Sequence, residues 1–182
     1  MCGICGTYDY LGRRPPELAA LESMNATLIH RGPDGGGAHV DGPVGIAARR
    51  LAIIDIEHGD QPMVSSDGTV CVAQNGEILN HMELRGELEQ RGVRFRTRCD
   101  TEVLLHLYLH HGPGFVSRLR GMFAFAIWDR RKQRLLLARD PFGIKPLYYH
   151  LGGGRISFAS ELKALLRQPD FSREVDREAL HA

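Results

Sequence analysis

The first five residues of the chain, Met-Cys-Gly-Ile-Cys, contain two thiols whose spacing could support chemistry. Cys2 and Cys5 fit the C-x-x-C pattern of redox dithiols and of half a zinc site. The two remaining cysteines, Cys71 and Cys99, each stand alone, so a second ligand pair for zinc is not indicated. A thiol-redox or metal-binding module on Cys2 and Cys5 is therefore kept only as a secondary hypothesis.

The position of Cys2 in the chain indicates another use for its thiol. Removal of Met1, which a small second residue generally permits, would leave Cys2 with both a thiol and a free α-amino group. The unperturbed pKa of an α-ammonium group is about 7.7–8.0, so a fraction is neutral near pH 7 and could accept the thiol proton. One residue would then supply both nucleophile and general base, as in hydrolases with an N-terminal threonine.

Five motifs follow this N-terminal cysteine, and their order resembles a known family. They are HRGPD from His30, RLAIID from Arg50, NGEILN from Asn75, CDTEV from Cys99 and RDPFGIKPLY from Arg139. Together they resemble the class II glutamine amidotransferase domain of the N-terminal-nucleophile hydrolases, specifically the asparagine synthetase type. The resemblance extends from residue 1 to about residue 166. It implies one domain over residues 1–182, with 168–182 as a linker or the start of a further synthetase domain.

The resemblance implies that Cys2 hydrolyses L-glutamine to glutamate and ammonia through a thioester. The side-chain amide of Asn75 and the backbone N–H of Gly76 would form the oxyanion hole. Both groups are hydrogen-bond donors, and a glycine lets the backbone approach the tetrahedral intermediate closely. The implied catalytic residues are therefore Cys2, Asn75 and Gly76.

The same resemblance implies a pocket for the two charged ends of glutamine. The guanidinium of Arg50 would bind the α-carboxylate, for which its planar fork is suited. The carboxylates of Glu77 and Asp100 would receive the α-ammonium, and backbone groups as far as Ile54 would line the pocket. The implied substrate-binding residues are Arg50, Ile54, Asn75, Gly76, Glu77 and Asp100.

Each of these residues also has a structural alternative. Asn75-Gly76 is a common hairpin turn, Asp100 could cap a helix, and Arg50 could form a surface ion pair. A catalytically silent structural or regulatory domain of the same family is therefore the main alternative function.

No metal and no organic cofactor is implied for the glutaminase domain. In the family, the ammonia passes to an ATP-dependent synthetase, so ATP and Mg²⁺ are expected only in that domain or subunit. The expected partners are L-glutamine and such a synthetase, with a homodimer left open. The identity of the ammonia acceptor is not given by the sequence.

Two further groups of residues are assigned structural roles. The glycine-rich segment 31–37 lacks the Gly-Lys-Ser/Thr of a phosphate-binding loop and is interpreted as a loop that braces the site. His106, His110 and His111 have helical spacing but lack the acidic residue of a zinc protease motif. They are interpreted as surface or packing residues.

The composition places the chain among ordinary globular proteins. Of its 182 residues, 43% are hydrophobic and 25% charged, with a net charge of +1. That balance gives no indication of a nucleic-acid partner or a membrane surface. The longest apolar run, residues 122–128, is too short to cross a bilayer. No secretory signal is visible at the N-terminus, so a cytoplasmic location is expected.

The periodicity of apolar residues predicts the elements that must position these residues. Strands are predicted at 3–10, in 44–56 and at 70–73, and helices at 16–28, around 82–88 and from Asp100. Two hairpins are predicted from 122 to 138 and from 147 to 159, followed by short helical segments from 161 and from 175. This order predicts an α+β fold. The resemblance specifies it as a four-layer αββα sandwich with mostly antiparallel sheets.

Overall fold

Two antiparallel sheets form the centre of the fold in a computed structural model, which describes residues 1–168 and 171. The first sheet has the strand order β2-β3-β1-β9-β8, and the second has the order β4-β5-β6-β7. The strands are β1 (Gly3–Asp9), β2 (Gly35–Asp41), β3 (Val44–Arg50), β4 (Met63–Val64), β5 (Val70–Ile78), β6 (Gly121–Asp129), β7 (Arg134–Arg139), β8 (Tyr148–Gly152) and β9 (Arg155–Ala159).

Helices cover the outer face of each sheet. They are α1 (Leu18–Ala26), α2 (His81–Gln90), α3 (Asp100–His111) and α4 (Leu162–Leu165), with a 3₁₀ helix at Gly112–Arg118. Three clusters of buried apolar side chains lie between α1, α4 and the first sheet, between the two sheets, and between the second sheet and α2, α3. They contain, respectively, Leu21 and Met24, Ile4 and Trp128, and Leu104 and Phe125. The predicted four-layer αββα sandwich is confirmed.

Strand β1 occupies the middle of the first sheet, where it pairs with β3 on one side and β9 on the other. Successive side chains of a strand point to opposite faces. Ile4 accordingly packs between the two sheets, whereas Cys5 packs beneath α1. Cys2, immediately before this fully paired strand, is thereby held at a defined place.

The prediction of a loop over residues 31–37 is wrong at its C-terminal end, because Gly35 already begins β2. Here the glycines permit close packing in a strand. A Cβ atom at Gly36 would lie 2.8 Å from the Ala48 carbonyl oxygen, and one at Gly37 would lie 2.8 Å from that of Gln61. Strand β3, in turn, ends at Arg50, well before the predicted limit at residue 56.

Two structural alternatives for site residues are also wrong. Asn75 and Gly76 do not form a hairpin turn, since both lie within β5, where they pair with Ala124 and Phe123 of β6. Asp100 is the first residue of α3 and its side chain caps nothing in that helix. The short helix predicted from residue 175 lies outside the described residues.

In the part of the chain that the structure describes, every helix is too short or too polar to cross a bilayer.

Candidate active site

A single pocket brings together all seven residues that the sequence singled out. They come from the residue before β1, the end of β3, the loop after it, the C-terminal part of β5 and the start of α3. The pocket is lined by Cys2, Arg50, Ile54, Asn75, Gly76, Glu77 and Asp100, together with Met1, Leu51, Ile53, Gln61, Cys99 and Lys145. The last six were not predicted as site residues.

The Cys2 thiol lies against the backbone of the residue after Arg50. The Leu51 N–H points to Cys2 Sγ at 3.4 Å, and Sγ lies 3.7 Å from the Leu51 carbonyl oxygen. A backbone N–H at this place can stabilise negative charge on the sulfur. The thiol is therefore held by the end of β3, the strand that also carries Arg50.

The Cys2 backbone is held from the other side by Arg31. Its Nε donates to the Cys2 carbonyl oxygen at 3.0 Å, and its Nη1 donates to Glu161 Oε1 at 3.0 Å. Partial burial acts to raise the pKa of Glu161, but hydrogen bonds from Arg31, Lys163 and His30 lower it to about 2. Glu161 is therefore ionised at any working pH and keeps the Arg31 side chain in place.

The three other thiols are poorly suited to act as nucleophiles. Burial raises the pKa of Cys5 and of Cys71 to about 12, and that of Cys99 to about 11. The thiolate is the reactive form of cysteine, so these residues are almost entirely unreactive near neutral pH. Cys5 is also fully buried, which leaves the C-x-x-C pair without the access that thiol exchange or metal binding needs.

This contrast predicts selective labelling of Cys2. Iodoacetamide near pH 8 should alkylate Cys2 at least about 100-fold faster than any other cysteine, because the other three cysteines are buried and Cys2 is not. Peptide mass spectrometry after timed quenching measures the four rates in one sample. Comparable labelling of Cys5 in folded protein would contradict the burial argument, and the denatured chain, in which all four should react alike, is the control.

Asn75 presents an unsatisfied amide to this pocket. Its side chain is completely buried, and neither Nδ2 nor Oδ1 has a hydrogen-bond partner among the residues described. Buried polar atoms in native proteins are nearly always paired. An amide that lines a pocket beside a thiol and lacks partners is suited to bind a polar atom of a ligand.

Gly76 follows with a backbone conformation that a side chain would not tolerate. Its φ is +128°, and a Cβ atom would lie 2.0 Å from the Met122 carbonyl oxygen. The absence of a side chain lets β5 approach β6 at this point and leaves the Gly76 backbone open toward the pocket.

The Arg50 guanidinium is buried and already has acceptors. Nη1 donates to the Ile56 carbonyl oxygen at 2.9 Å, and Nη2 donates to those of Ile54 at 3.2 Å and Asp55 at 2.5 Å. Arg50 therefore holds the loop after β3 as well as lining the pocket. Binding a carboxylate through Arg50 requires it to exchange some of these carbonyl oxygens for the ligand.

The Asp100 carboxylate is positioned by β5. Its Oδ2 accepts hydrogen bonds from Gln74 Nε2 at 2.8 Å and from the Ile78 N–H at 3.0 Å. Gln74 Nε2 also donates to the Gly76 carbonyl oxygen at 3.2 Å. Gln74 thus links the start of α3 to the glycine of the site, and with Glu77 the pocket carries two carboxylates suited to a cationic group.

Some of the six unpredicted residues carried a signal in the sequence. Leu51 and Ile53 belong to the motif that begins with Arg50, Cys99 directly precedes Asp100, and Lys145 belongs to the motif from Arg139. Gln61 stands outside every motif. It reaches the pocket because its Oε1 accepts a hydrogen bond from the Gln74 N–H at 2.7 Å, a contact that no local pattern predicts.

The described residues contain no group of three or more His, Cys, Asp or Glu side chains that could hold a metal ion. Of the three histidines of α3, His106 has the packing role that the sequence analysis assigned. His106 packs edge-on against Phe95 and lies 3.7 Å from Glu102.

The sequence matches known proteins over its whole length. The family model described as a glutamine amidotransferase domain matches residues 1–182. Asparagine synthetase [glutamine-hydrolyzing] 1 of Bacillus subtilis is 47% identical over 99% of this chain and 29% of its own length. Asparagine synthetase [glutamine-hydrolyzing] 2 of Arabidopsis thaliana is 44% identical over 91% of this chain and 28% of its own length. The chain therefore spans less than a third of these relatives.

Solved structures share the fold. Glutamine phosphoribosylpyrophosphate amidotransferase from B. subtilis, solved with ADP and GMP, has a TM-score of 0.74 at 24% identity and covers 90% of this chain and 42% of its own. A structure described as the allosteric regulatory enzyme of purine biosynthesis has a TM-score of 0.73 at 25% identity, over 91% of this chain and 43% of its own. With the family model matching every residue, the chain belongs to the glutamine amidotransferase domain family.

Proposed function

We propose that this chain hydrolyses L-glutamine to glutamate and ammonia and supplies the ammonia to an ATP-dependent synthetase of the asparagine-forming type. One observation carries the proposal: the buried, unpartnered amide of Asn75 lines the same pocket as the Cys2 thiol. A nucleophile beside a donor that has no other partner is the arrangement that acyl transfer requires.

The first half of the reaction forms a thioester. After loss of Met1, the neutral α-amine of Cys2 takes the thiol proton, and the sulfur attacks the side-chain carbonyl carbon of glutamine. The carbonyl oxygen becomes negatively charged and accepts hydrogen bonds from Asn75 Nδ2 and the Gly76 N–H. The α-ammonium then gives its proton to the amide nitrogen, the C–N bond breaks, and ammonia leaves.

The second half regenerates the thiol. Water gives a proton to the α-amine of Cys2 and attacks the thioester carbonyl carbon, and the same two donors stabilise the second oxyanion. The C–S bond breaks, the sulfur recovers its proton from the α-ammonium, and glutamate leaves. Leu51, whose N–H faces Cys2 Sγ, stabilises the sulfur whenever it carries negative charge.

The charges of the pocket suit a zwitterionic amino acid. Arg50 can bind the α-carboxylate after it releases carbonyl oxygens of the loop, and Glu77 and Asp100 can bind the α-ammonium. The backbone of Ile54, which accepts a hydrogen bond from Arg50, would move with that exchange. The loop after β3 is therefore expected to sense the bound substrate.

The synthetase partner is proposed from the relatives. Both relatives named above are glutamine-hydrolysing asparagine synthetases and extend far beyond the part that this chain matches. ATP and Mg²⁺ would act in that further part, and the glutaminase reaction written above uses neither. A cytoplasmic location belongs to the proposal, since a catalytic thiol persists where thiols are kept reduced.

Glutamate release from L-glutamine by the chain without Met1 tests the proposal. We expect release that depends on Cys2 and that is retained or raised when a synthetase portion from a relative is added. No release under either condition, from folded protein with a free Cys2, would support the catalytically silent alternative. Release that persists without Cys2 would exclude the proposed mechanism.

The role of Asn75 predicts a selective loss of turnover. Asn75→Ala should lower kcat by roughly 10²–10³-fold, because its amide is needed most when negative charge appears on the former carbonyl oxygen. KM for glutamine should change little. Steady-state kinetics measures both constants, and circular dichroism confirms the fold. A raised KM with unchanged kcat would remove Asn75 from the oxyanion hole.

Substitutions of two residues proposed to bind substrate provide the comparison for Asn75→Ala. Arg50→Ala and Asp100→Asn should mainly raise KM, because the α-carboxylate and α-ammonium of glutamine keep their charges throughout the reaction. Arg50→Ala also releases the loop that its guanidinium holds, so its effect on KM should be the larger of the two. A loss confined to kcat in both variants would contradict the substrate-binding assignment.

A further inference from the structure

The side chain of Lys145 is a buried cation in the pocket, and the reaction written above does not use it. Lys145 is 8% exposed and lines the pocket with Cys2. Its N–H donates to Asp140 Oδ2 at 3.0 Å, and its carbonyl oxygen accepts a hydrogen bond from Arg139 Nε at 2.7 Å. Because both main-chain groups are held, the point from which the side chain enters the pocket is fixed.

The ammonium group of Lys145 has only a weak partner. Nζ lies 3.3 Å from Met1 Sδ, a neutral thioether and a poor acceptor. Among the residues that the structure describes, no carboxylate oxygen forms an ion pair with it. A buried ammonium that forms no ion pair lowers the stability of the fold, so its presence in the pocket calls for a functional reason.

The contact with Met1 limits the distance between Lys145 Nζ and the Cys2 nitrogen. Five covalent bonds separate Met1 Sδ from the Cys2 nitrogen, so Nζ lies within about 10 Å of the atom that becomes the α-amine. Two positive charges at such a distance in a partly closed pocket repel each other. That repulsion disfavours the protonated form of the α-amine that loss of Met1 would leave on Cys2.

We propose that Lys145 is a positioning residue for the proton transfer, whose charge keeps the Cys2 α-amine neutral and ready to accept the thiol proton. The same charge favours the thiolate over the thiol. This inference rests on the proposed function, because it concerns the general base of that reaction.

Other charged groups near the nucleophile do not replace this effect. They are Arg50, Glu77 and Asp100 in the pocket, Asp60 beside Arg50, Asp140 at the Lys145 backbone, and Arg31 and Glu161 behind the Cys2 carbonyl. Arg31 and Glu161 pair with each other, and their charges largely cancel. The carboxylates of Glu77 and Asp100 act against Lys145 until the substrate ammonium neutralises them. Cys99 contributes no charge, because burial raises its pKa to about 11.

The pH dependence of kcat/KM tests the inference in protein without Met1. Lys145→Met and Lys145→Gln remove the charge, and Lys145→Arg keeps it. In the two neutral variants the acidic limb of the profile should move up by about 0.5–1 pH unit. Glutamate release should therefore fall about 3–10-fold below neutral pH and recover at high pH. Lys145→Arg should follow the parent, as should Lys132→Met, which alters an exposed lysine in the turn after β6.

A second measurement separates this inference from the proposed function. The rate at which iodoacetamide alkylates Cys2, followed against pH, reports ionisation of the thiol, which the same charge favours, without any glutamine hydrolysis. An upward shift of this profile in Lys145→Met and Lys145→Gln supports the inference. An unshifted profile, or rates lowered equally at every pH, overturns it and makes Lys145 a packing residue. Absence of glutamate release by the parent would overturn the proposed function alone.

Discussion

Cys2→Ala should lower glutamate release from glutamine by roughly 10⁴-fold or more, whereas Cys5→Ala should leave kcat and KM close to those of the parent. The Cys2 thiol reaches the pocket beside Asn75, but Cys5 points to the opposite side of the first sheet and packs beneath α1. Cys5→Ala should instead lower the free energy of unfolding by about 1 kcal/mol, through the small cavity that it leaves. Glutamate release, measured on both variants, tests the predicted difference in activity. Thermal unfolding tests the predicted loss of stability in Cys5→Ala.

Retained substrate binding is the control for the Cys2 variant. Calorimetry should detect glutamine binding to Cys2→Ala, because the charged groups that receive the substrate are unchanged. Equal losses of activity from the Cys2 and Cys5 substitutions would instead favour the dithiol hypothesis, in which both sulfurs are required.

Protein that retains Met1 should also be inactive, although every other residue is in place. With Met1 present, the Cys2 nitrogen is an amide and is no longer a base. Met1 itself lines the pocket, with its sulfur against Lys145, so it also occupies space at the nucleophile. The first effect removes the acceptor for the thiol proton, and the second leaves less room for glutamine.

A cleavable N-terminal extension provides the matched pair for this prediction. A protease that cuts immediately before Cys2 converts one preparation into the active form, and intact mass identifies each species. Activity should appear in proportion to the cleaved fraction. Full turnover by the uncleaved protein would exclude the α-amine as the base, while alkylation of Cys2 in both forms verifies that the thiol stays accessible.

The alternation of apolar residues was sufficient to predict most strands of the two sheets. The strand limits that it predicted wrongly have physical causes. Strand β5 runs nine residues, well past the predicted end at residue 73. Asn75-Gly76 is turn-forming locally, but pairing with β6 along its whole length overrides that preference. At Gly36 and Gly37 the local signal for a loop is likewise overridden, because close packing against β3 and the Gln61 backbone needs residues without side chains.

The sequence identified the residues of the site, but it did not predict the contacts that orient them. All seven singled-out residues meet in one pocket, yet the contacts that orient them join segments far apart in the chain. Arg31 reaches Glu161 across 130 residues. The three carbonyl oxygens around Arg50 depend on how the loop after β3 folds. Neither contact has a sequence period or a spacing rule from which it could be deduced.

The central place of β1 also has a consequence during synthesis on the ribosome. The Ile4 N–H donates to Ser160 Oγ, 156 residues later in the chain. At roughly 5–20 residues per second, that partner is synthesised about 8–30 seconds after β1. Through this interval the strand that orients the nucleophile lacks its neighbour β9, and Arg31 lacks Glu161. Under the mechanism proposed above, Met1 can therefore be removed from the nascent chain before the pocket that would activate Cys2 has formed.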